Sequence, residues 1–423
     1  MVLARAEHRV SADRLRTVEE QRAIVLERVR PLDGTRVPVA AALGRTLVEP
    51  LRAAVDIPVF DNSAMDGFAV RFEDVKDATD AAPARLTVVA DLPAGSPLDP
   101  PIGPGEAVRI MTGSAVPTAA DAIVPFESTA GGLADSLGEI TVLAAPREVG
   151  AHIRRRGEDA TVGSELLPAG VELRALQLAA AAAAGVDDVV VARRPRVAVV
   201  STGSELVTPG RPLERGQIPE SNSQLLAGLA EGAGAEVVLR LTVGDEGDGP
   251  ARAVAEASAL GADAVVFSGG VSAGAYEVVK NTLAEAMEFS KVAMQPGKPQ
   301  GFGATDDGVL LFGLPGNPVS AAVSFEVFVR PALLAMQTRT DLHRPTLRLP
   351  AATGWRTPPE RRQYIPVAID RSDPARWTVR PATAGGSGSH LAGGLARAEA
   401  YAIVPAEVDV VETGDTVDVM LVS

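Results

Sequence analysis

The chain of 423 residues contains no cysteine, which excludes disulfides, thiolate zinc sites and cysteine nucleophiles at once. Histidine is scarce as well: the four present show no metal-ligand spacing. Positive charge is in deficit, with 40 Lys and Arg against 54 Asp and Glu and a net charge of −14. That balance argues against a broad nucleic-acid surface, which needs a basic field. Tandem repeats and low-complexity linkers are missing, and no apolar run approaches the roughly 20 residues of a membrane span. The first residues are charged (Arg5, Glu7, Arg9, Asp13) and lack the apolar stretch of a signal peptide. These absences together predict a soluble, cytoplasmic protein with no membrane or nucleic-acid partner.

What is present is globular: 46% hydrophobic residues against 22% charged. The length exceeds one ordinary core, so two to four domains are expected. Residues 1–13 read as a tail. Thr17-Val-Glu-Glu20 matches a capping box opening a helix, and a second short helix is expected at 39–47. Turn-rich sequence with short β-like runs at 86–90, 107–111, 122–125 and 140–144 predicts a β domain over 50–146. An Ala-rich helix at 173–185 and a strand at 186–192 follow. Segments 14–49 and 147–192 are read as one discontinuous helical hinge domain. From 193 to 339 the pattern alternates, with strands at 197–201, 237–243, 264–268, 291–294 and 309–312, and helices between them. Such Val/Ile/Leu/Ala strands signal a parallel sheet buried on both faces. Pro331 is expected to end or kink the last helix. Residues 340–423 return to short strands and predict a small β-barrel.

The richest stretch is Ser268-Gly-Gly-Val-Ser272, which closes an apolar run with glycines before a helical pattern. In open α/β sheets ligands bind at such strand ends, and glycines let the backbone approach an anion. Ser201-Thr-Gly-Ser-Glu205, Gln295-Pro-Gly-Lys-Pro299 and Leu314-Pro-Gly-Asn-Pro-Val-Ser320 repeat the design. Four such loops within about 120 residues point to one phosphate-sized site.

With Phe60-Asp-Asn-Ser-Ala-Met-Asp-Gly67, Met111-Thr-Gly113 and Arg156-Gly-Glu-Asp159, these loops form seven motifs in fixed order. In this order they resemble the MoeA family, the molybdopterin molybdenumtransferases, whose eukaryotic relative is the gephyrin E domain. The resemblance covers residues 14–423. It implies a split helical hinge domain, an inserted β domain, a doubly wound MogA-like α/β domain and a C-terminal β-barrel. It also implies insertion of molybdenum from molybdate into the dithiolene of adenylylated molybdopterin, with release of AMP and with Mg²⁺ as cofactor. An elongated homodimer with sites between protomers is implied too, with transient contact to molybdopterin adenylyltransferase and molybdoenzymes.

Carried onto this chain, the resemblance makes Asp61, Glu205 and Thr112 the catalytic candidates. Ser201, Gly203, Ser268, Gly269, Gly270, Ser272, Lys291, Lys298, Pro315, Gly316, Asn317, Arg362 and Ser389 become the substrate- and phosphate-binding candidates. Glu205, Asp245 and Glu277 fall at predicted strand ends and can share an Mg²⁺–phosphate site, since Mg²⁺ takes few protein carboxylates besides phosphates. Asp159 joins them by the family analogy. The plain readings are an Asx-turn for Asp61 and a first-turn helix carboxylate for Glu205. Arg154, Arg155 and Arg156 either steer an anion or form a solvated surface. This chain departs from the family pattern at Ala275, leaving Glu277 alone after the glycine loop, at Gln295 in place of a lysine, and at Pro366. Two other functions fit the same α/β domain or the same chain: a nicotinamide-nucleotide deamidase or pyrophosphatase, and a non-catalytic gephyrin-like scaffold.

Overall fold

The structure, a computed structural model, describes residues 15–272, 277–383 and 392–422. Thr17 and Glu20 form the expected capping box, each side chain accepting from the other's backbone N–H. The helix they open, Val18–Arg28, buries Val25 against the core of the α/β domain, in the same cluster as Val29, Val197 and Phe312. Each such side chain contributes about 1.5–3 kcal/mol. A separate core, with Leu47, Leu51, Leu173, Ala181 and Val191, is built from two short antiparallel pairs and the helix Ala175–Ala183. The helix expected at 39–47 is only a 3-10 turn, Val39–Ala41. Gly44 adopts φ 72°, and Thr46 and Leu47 are taken up by bridges to Glu172 and Val191, so the chain cannot continue as a helix.

The inserted β domain holds a five-stranded mixed sheet. All four expected runs form strands. The first of its strands in chain order, Gly67–Val70, was not expected, because the turn formers preceding it mask a short fully buried run. Phe68 packs edge-on to Phe126 at 5.2 Å between centroids.

The α/β domain has six strands: β1 (Arg196–Thr202), β2 (Glu236–Val243), β3 (Ala264–Ser268), β4 (Met287–Lys291), β5 (Pro299–Ala304) and β6 (Leu310–Leu314). They lie in the order β2-β1-β3-β6-β5-β4. The first four are parallel as expected; β5 and β4 extend the sheet antiparallel. The strand expected at 291–294 is displaced to β4, and β5 was missed because Pro299, Gly301 and Gly303 give it little strand propensity. Those glycines are there for space: a methyl at Gly303 would sit 1.9 Å from the Ala286 carbonyl oxygen. Helix α1 (Asn222–Gly232) packs on one face with the last helix, while α2 (Gly249–Ala259) and α3 (Val278–Leu283) cover the other, so the domain is doubly wound.

The last helix, α4 (Pro318–Met336), has 19 residues, a mean hydropathy of 1.5 and 89% of its most apolar window buried. By length and apolarity it passes for a membrane span, contrary to the sequence reading, but it is a core helix here. Pro331 neither ends nor breaks it. A π-turn over Phe325–Val329 widens the helix just before the proline and gives its ring room. In the C-terminal domain five strands pair in sequence, and a bridge between Ala351 and Val379 closes them into a small barrel.

Replacing Gly303 by alanine should destabilise the α/β domain by upward of about 3 kcal/mol, since backbone rather than a flexible side chain must give way. Calorimetric unfolding checks this; a midpoint within about 2 °C of wild type contradicts the packing described.

Candidate functional site

The order β2-β1-β3 places a topological switch point between β1 and β3, where connections leave in opposite directions and a crevice opens at the strands' carboxyl ends. The crevice has a volume of about 530 Å³. Gly203, Glu205, Asp245, Ser268, Gly269, Gly270, Ser272, Glu277, Lys298, Pro315, Gly316 and Asn317 all line it, so all four glycine loops meet there.

Close backbone approach explains the glycines. Gly269 N–H donates to the Leu314 carbonyl, and a Cβ on Gly269 would lie 2.6 Å from Thr202 Oγ1. Gly270 has φ 68° and sits against Val279. A valine at Gly270 therefore strains the loop before any ligand is considered.

Side chains brace the same loops. Asp245 Oδ2 accepts from Ser204 N–H at 2.8 Å while Ser204 Oγ accepts from Asp245 N–H at 3.1 Å, tying the loop after β1 to that after β2. Glu277 accepts from Ser272 N–H across the third loop at 2.5 Å. Two residues missed in the sequence reading also line the crevice. Glu220, 6% exposed, accepts from Ser201 Oγ, Ser223 N–H and Ser223 Oγ. Asn222 donates to Ser268 Oγ and to the Gly316 carbonyl. The only sequence signal was a polar run, Glu220-Ser-Asn-Ser223, immediately before an apolar helix.

The described lining holds four carboxylates (Glu205, Glu220, Asp245, Glu277) and one basic side chain, Lys298. Among the described residues no three His, Asp or Glu side chains converge as a metal cage. A donor set of dispersed carboxylates still fits Mg²⁺, which is commonly held by one or two carboxylates and completed by phosphate and water oxygens.

A second cluster lies in the β domain and its junction with the hinge. Asp61 Oδ2 accepts from Arg155 Nη1 at 2.6 Å and Oδ1 from Arg156 N–H at 2.8 Å. The Arg156 N–H, then the Arg155 guanidinium, hold the Asp61 carboxyl below its ordinary range. Asp159 N–H donates to the Ile57 carbonyl, placing Asp159 in the same loop pair. Thr112 N–H donates to Asp66 Oδ1, which lowers that carboxyl likewise. Thr112 and Asp159 are exposed and Asp61 is half-buried, and none of the three lines the crevice of its own chain.

Three predicted residues fall in neither cluster. Ser201 is buried beneath the crevice floor on Glu220, Lys291 ends β4 in solvent, and Arg362 pairs with Glu19. Ser389 lies outside the described residues, as does Ala275.

Comparison with known proteins places this geometry. Residues 16–185 match the MoeA N-terminal region (domain I and II), 198–335 a probable molybdopterin binding domain, and 348–422 the MoeA C-terminal region (domain IV). The chain belongs to the MoeA family. It is 45% identical over 364 residues to molybdopterin molybdenumtransferase 2 of Mycobacterium tuberculosis, covering 84% of this chain and 88% of the relative. The Nostoc molybdopterin molybdenumtransferase is 38% identical over 75% of this chain and 73% of its own length. The crystal structure of the MoeA protein from Pyrococcus horikoshii OT3 superposes with a TM-score of 0.82 at 27% identity, covering 97% of this chain and all of that one.

Two outcomes follow from this geometry. Because the Asp61 carboxyl is depressed in the folded chain, its clasp on Arg155 and Arg156 is present above the ordinary value of 3.8 and is lost as pH falls through the lower folded value. The Arg156 amide resonance should therefore hold constant from neutral pH down to about pH 4 and move only below it; movement centred near pH 5 contradicts the clasp. At Gly316 an added methyl meets only the Gly269 backbone, Cα at 3.5 Å and N at 3.9 Å, both ordinary contacts. Gly316→Ala should keep the unfolding midpoint within about 2 °C and weaken binding of inorganic pyrophosphate with Mg²⁺ at least about tenfold by narrowing the crevice. Titration calorimetry checks it, and wild-type affinity contradicts the crevice as binding site.

Proposed function

We propose that the chain, an enzyme of the molybdopterin molybdenumtransferase type, binds adenylylated molybdopterin with its pyrophosphate against the glycine loops of the crevice. Molybdate then enters as second substrate, molybdenum is inserted into the dithiolene, and AMP leaves. The observation that carries this reading is the meeting of four glycine loops at the β1/β3 switch point in a cavity of about 530 Å³. Cleavage of a phosphoryl link needs placement and charge neutralisation more than covalent chemistry.

The charge of the lining defines what must accompany the ligand. Four carboxylates against one lysine repel a pyrophosphate, so a divalent cation is required to join them. Glu205, Asp245 and Glu277 are the residues that would hold Mg²⁺, and the ion would neutralise phosphate oxygens. Among the described lining residues Lys298 supplies the one fixed positive charge, and the Gly270 N–H, unlike that of Gly269, is left to supply a neutral donor.

Asp61 and Thr112 stand apart from the crevice of their own chain, which supports completion of each site by a second copy in a two-fold dimer. Asp159 comes to the metal only in that arrangement. Molybdopterin adenylyltransferase as supplier of the substrate and molybdoenzymes as acceptors of the product fit the same reading.

Mixing experiments test it. Asp61→Asn and Glu205→Gln should each abolish molybdenum insertion with unchanged thermal unfolding. Refolded together, they should recover about a quarter of wild-type activity, because half of randomly paired dimers are mixed and each retains one intact site of two. Zero recovery, with mixed dimers verified by mass, puts the complete site within one chain.

A further inference from the structure

We propose that Asn222 is a positioning residue of the crevice, fixing the Ser268 hydroxyl as a hydrogen-bond donor to an anionic oxygen of the bound ligand. Asn222 is the first residue of α1, lines the crevice and is 8% exposed. Its Nδ2 donates to Ser268 Oγ and to the Gly316 carbonyl, both at 2.6 Å. One amide thus joins the start of α1 to the end of β3 and to the loop after β6, and both of its N–H groups are spent. Its Oδ1 is buried with no hydrogen-bond partner. The amide cannot sit the other way round. Reversal would bring two acceptor oxygens, Oδ1 and the Gly316 carbonyl, to 2.6 Å of each other.

That orientation decides what Ser268 can do. A serine hydroxyl has one hydrogen and two acceptor positions. Asn222 occupies an acceptor position, and among the described residues the hydrogen has no acceptor. Ser268 stands directly before Gly269 and Gly270 and is 2% exposed, so the hydrogen is directed to whatever oxygen fills the crevice. A hydrogen bond to a charged acceptor is the stronger kind. Glu220 keeps Asn222 in place, because its carboxylate ties Ser223 of α1 to Ser201 of β1. Asn222 therefore acts through Ser268 without touching the reacting atoms.

This inference rests on the crevice being the phosphate pocket, and the test separates the two. AMP and inorganic pyrophosphate are titrated by calorimetry, with Mg²⁺ present throughout, into wild type, Ser268→Ala, Ser268→Thr, Asn222→Ala, the Ser268→Ala/Asn222→Ala double variant and Asn222→Asp. Ser268→Ala and Asn222→Ala should each weaken binding by about ten- to hundredfold, and the double variant no further than the weaker-binding single. Ser268→Thr, which keeps the hydroxyl, should bind more tightly than Ser268→Ala. In Asn222→Asp the ionised carboxylate takes up the Ser268 hydrogen and removes the donor, and protonation gives it back. Burial beside the Gly316 carbonyl oxygen raises that carboxyl, so the variant's affinity relative to wild type should rise as pH is lowered from about 7 to about 4. Failure of wild type to bind either ligand overturns the phosphate pocket itself, whereas unchanged binding by Ser268→Ala overturns the donor role of Ser268, and with it the proposal, and leaves the pocket standing. Weakened binding with additive losses in the double variant overturns the role of Asn222 and leaves the pocket standing. Should Asn222→Ala unfold, the pH profile of Asn222→Asp decides: a profile parallel to wild type overturns the proposal.

Discussion

Everything in the α/β domain follows from one packing constraint: three strand ends must come within backbone contact of one another at the carboxyl edge of the sheet. Thr202, Ser268 and Leu314 end neighbouring strands, and the residue after Ser268 has no room for a side chain against Thr202. Such contact is possible only where glycine replaces Cβ and where polar side chains satisfy the amides that leave the ladder. Asp245, Glu277, Glu220 and Asn222 do the second job here. The same residues that expose N–H groups to a ligand are thus the ones that keep the crevice from closing.

The charge of the crevice runs against first intuition. A pocket for a phosphorylated molecule is usually imagined as basic, yet this one is lined by more carboxylates than cations. Three of those carboxylates, Glu220, Asp245 and Glu277, are partly spent on backbone amides, so their charge serves the protein before it serves a metal. An acidic chain of net charge −14 can hold a polyanion only through neutral donors and counter-ions, and the glycine loops are neutral donors.

The sequence was most legible where local chemistry and tertiary role agree. The capping box of Thr17 and Glu20, the apolar strands β1 and β3, and the glycine loops all follow from patterns a few residues long. It was least legible where a residue serves space or a distant neighbour. β5 is a strand whose glycines argue against it until the Ala286 carbonyl beside Gly303 is known. Residues 39–47 have helical texture but are claimed by strands 125 residues or more away. Asn222 and Glu220 show no motif of their own, because their value lies in bonds to Ser201, Ser268 and Gly316, which only the fold brings near. Ser201 failed in the opposite sense: it sits in a site motif, yet its hydroxyl faces inward.

The buried helix from Pro318 to Met336 sets a length standard for the molecule. At 1.5 Å per residue it is about 28 Å long. Its first turn follows Asn317 on the crevice wall, and just beyond its end Arg339 reaches Glu172 and Thr46 in the hinge. One residue added to or taken from this helix would rotate one end against the other by about 100°. Either the crevice wall or the hinge contact would then face the wrong way. The register of an apolar helix with no chemistry of its own is therefore as tightly specified as any carboxylate in the crevice.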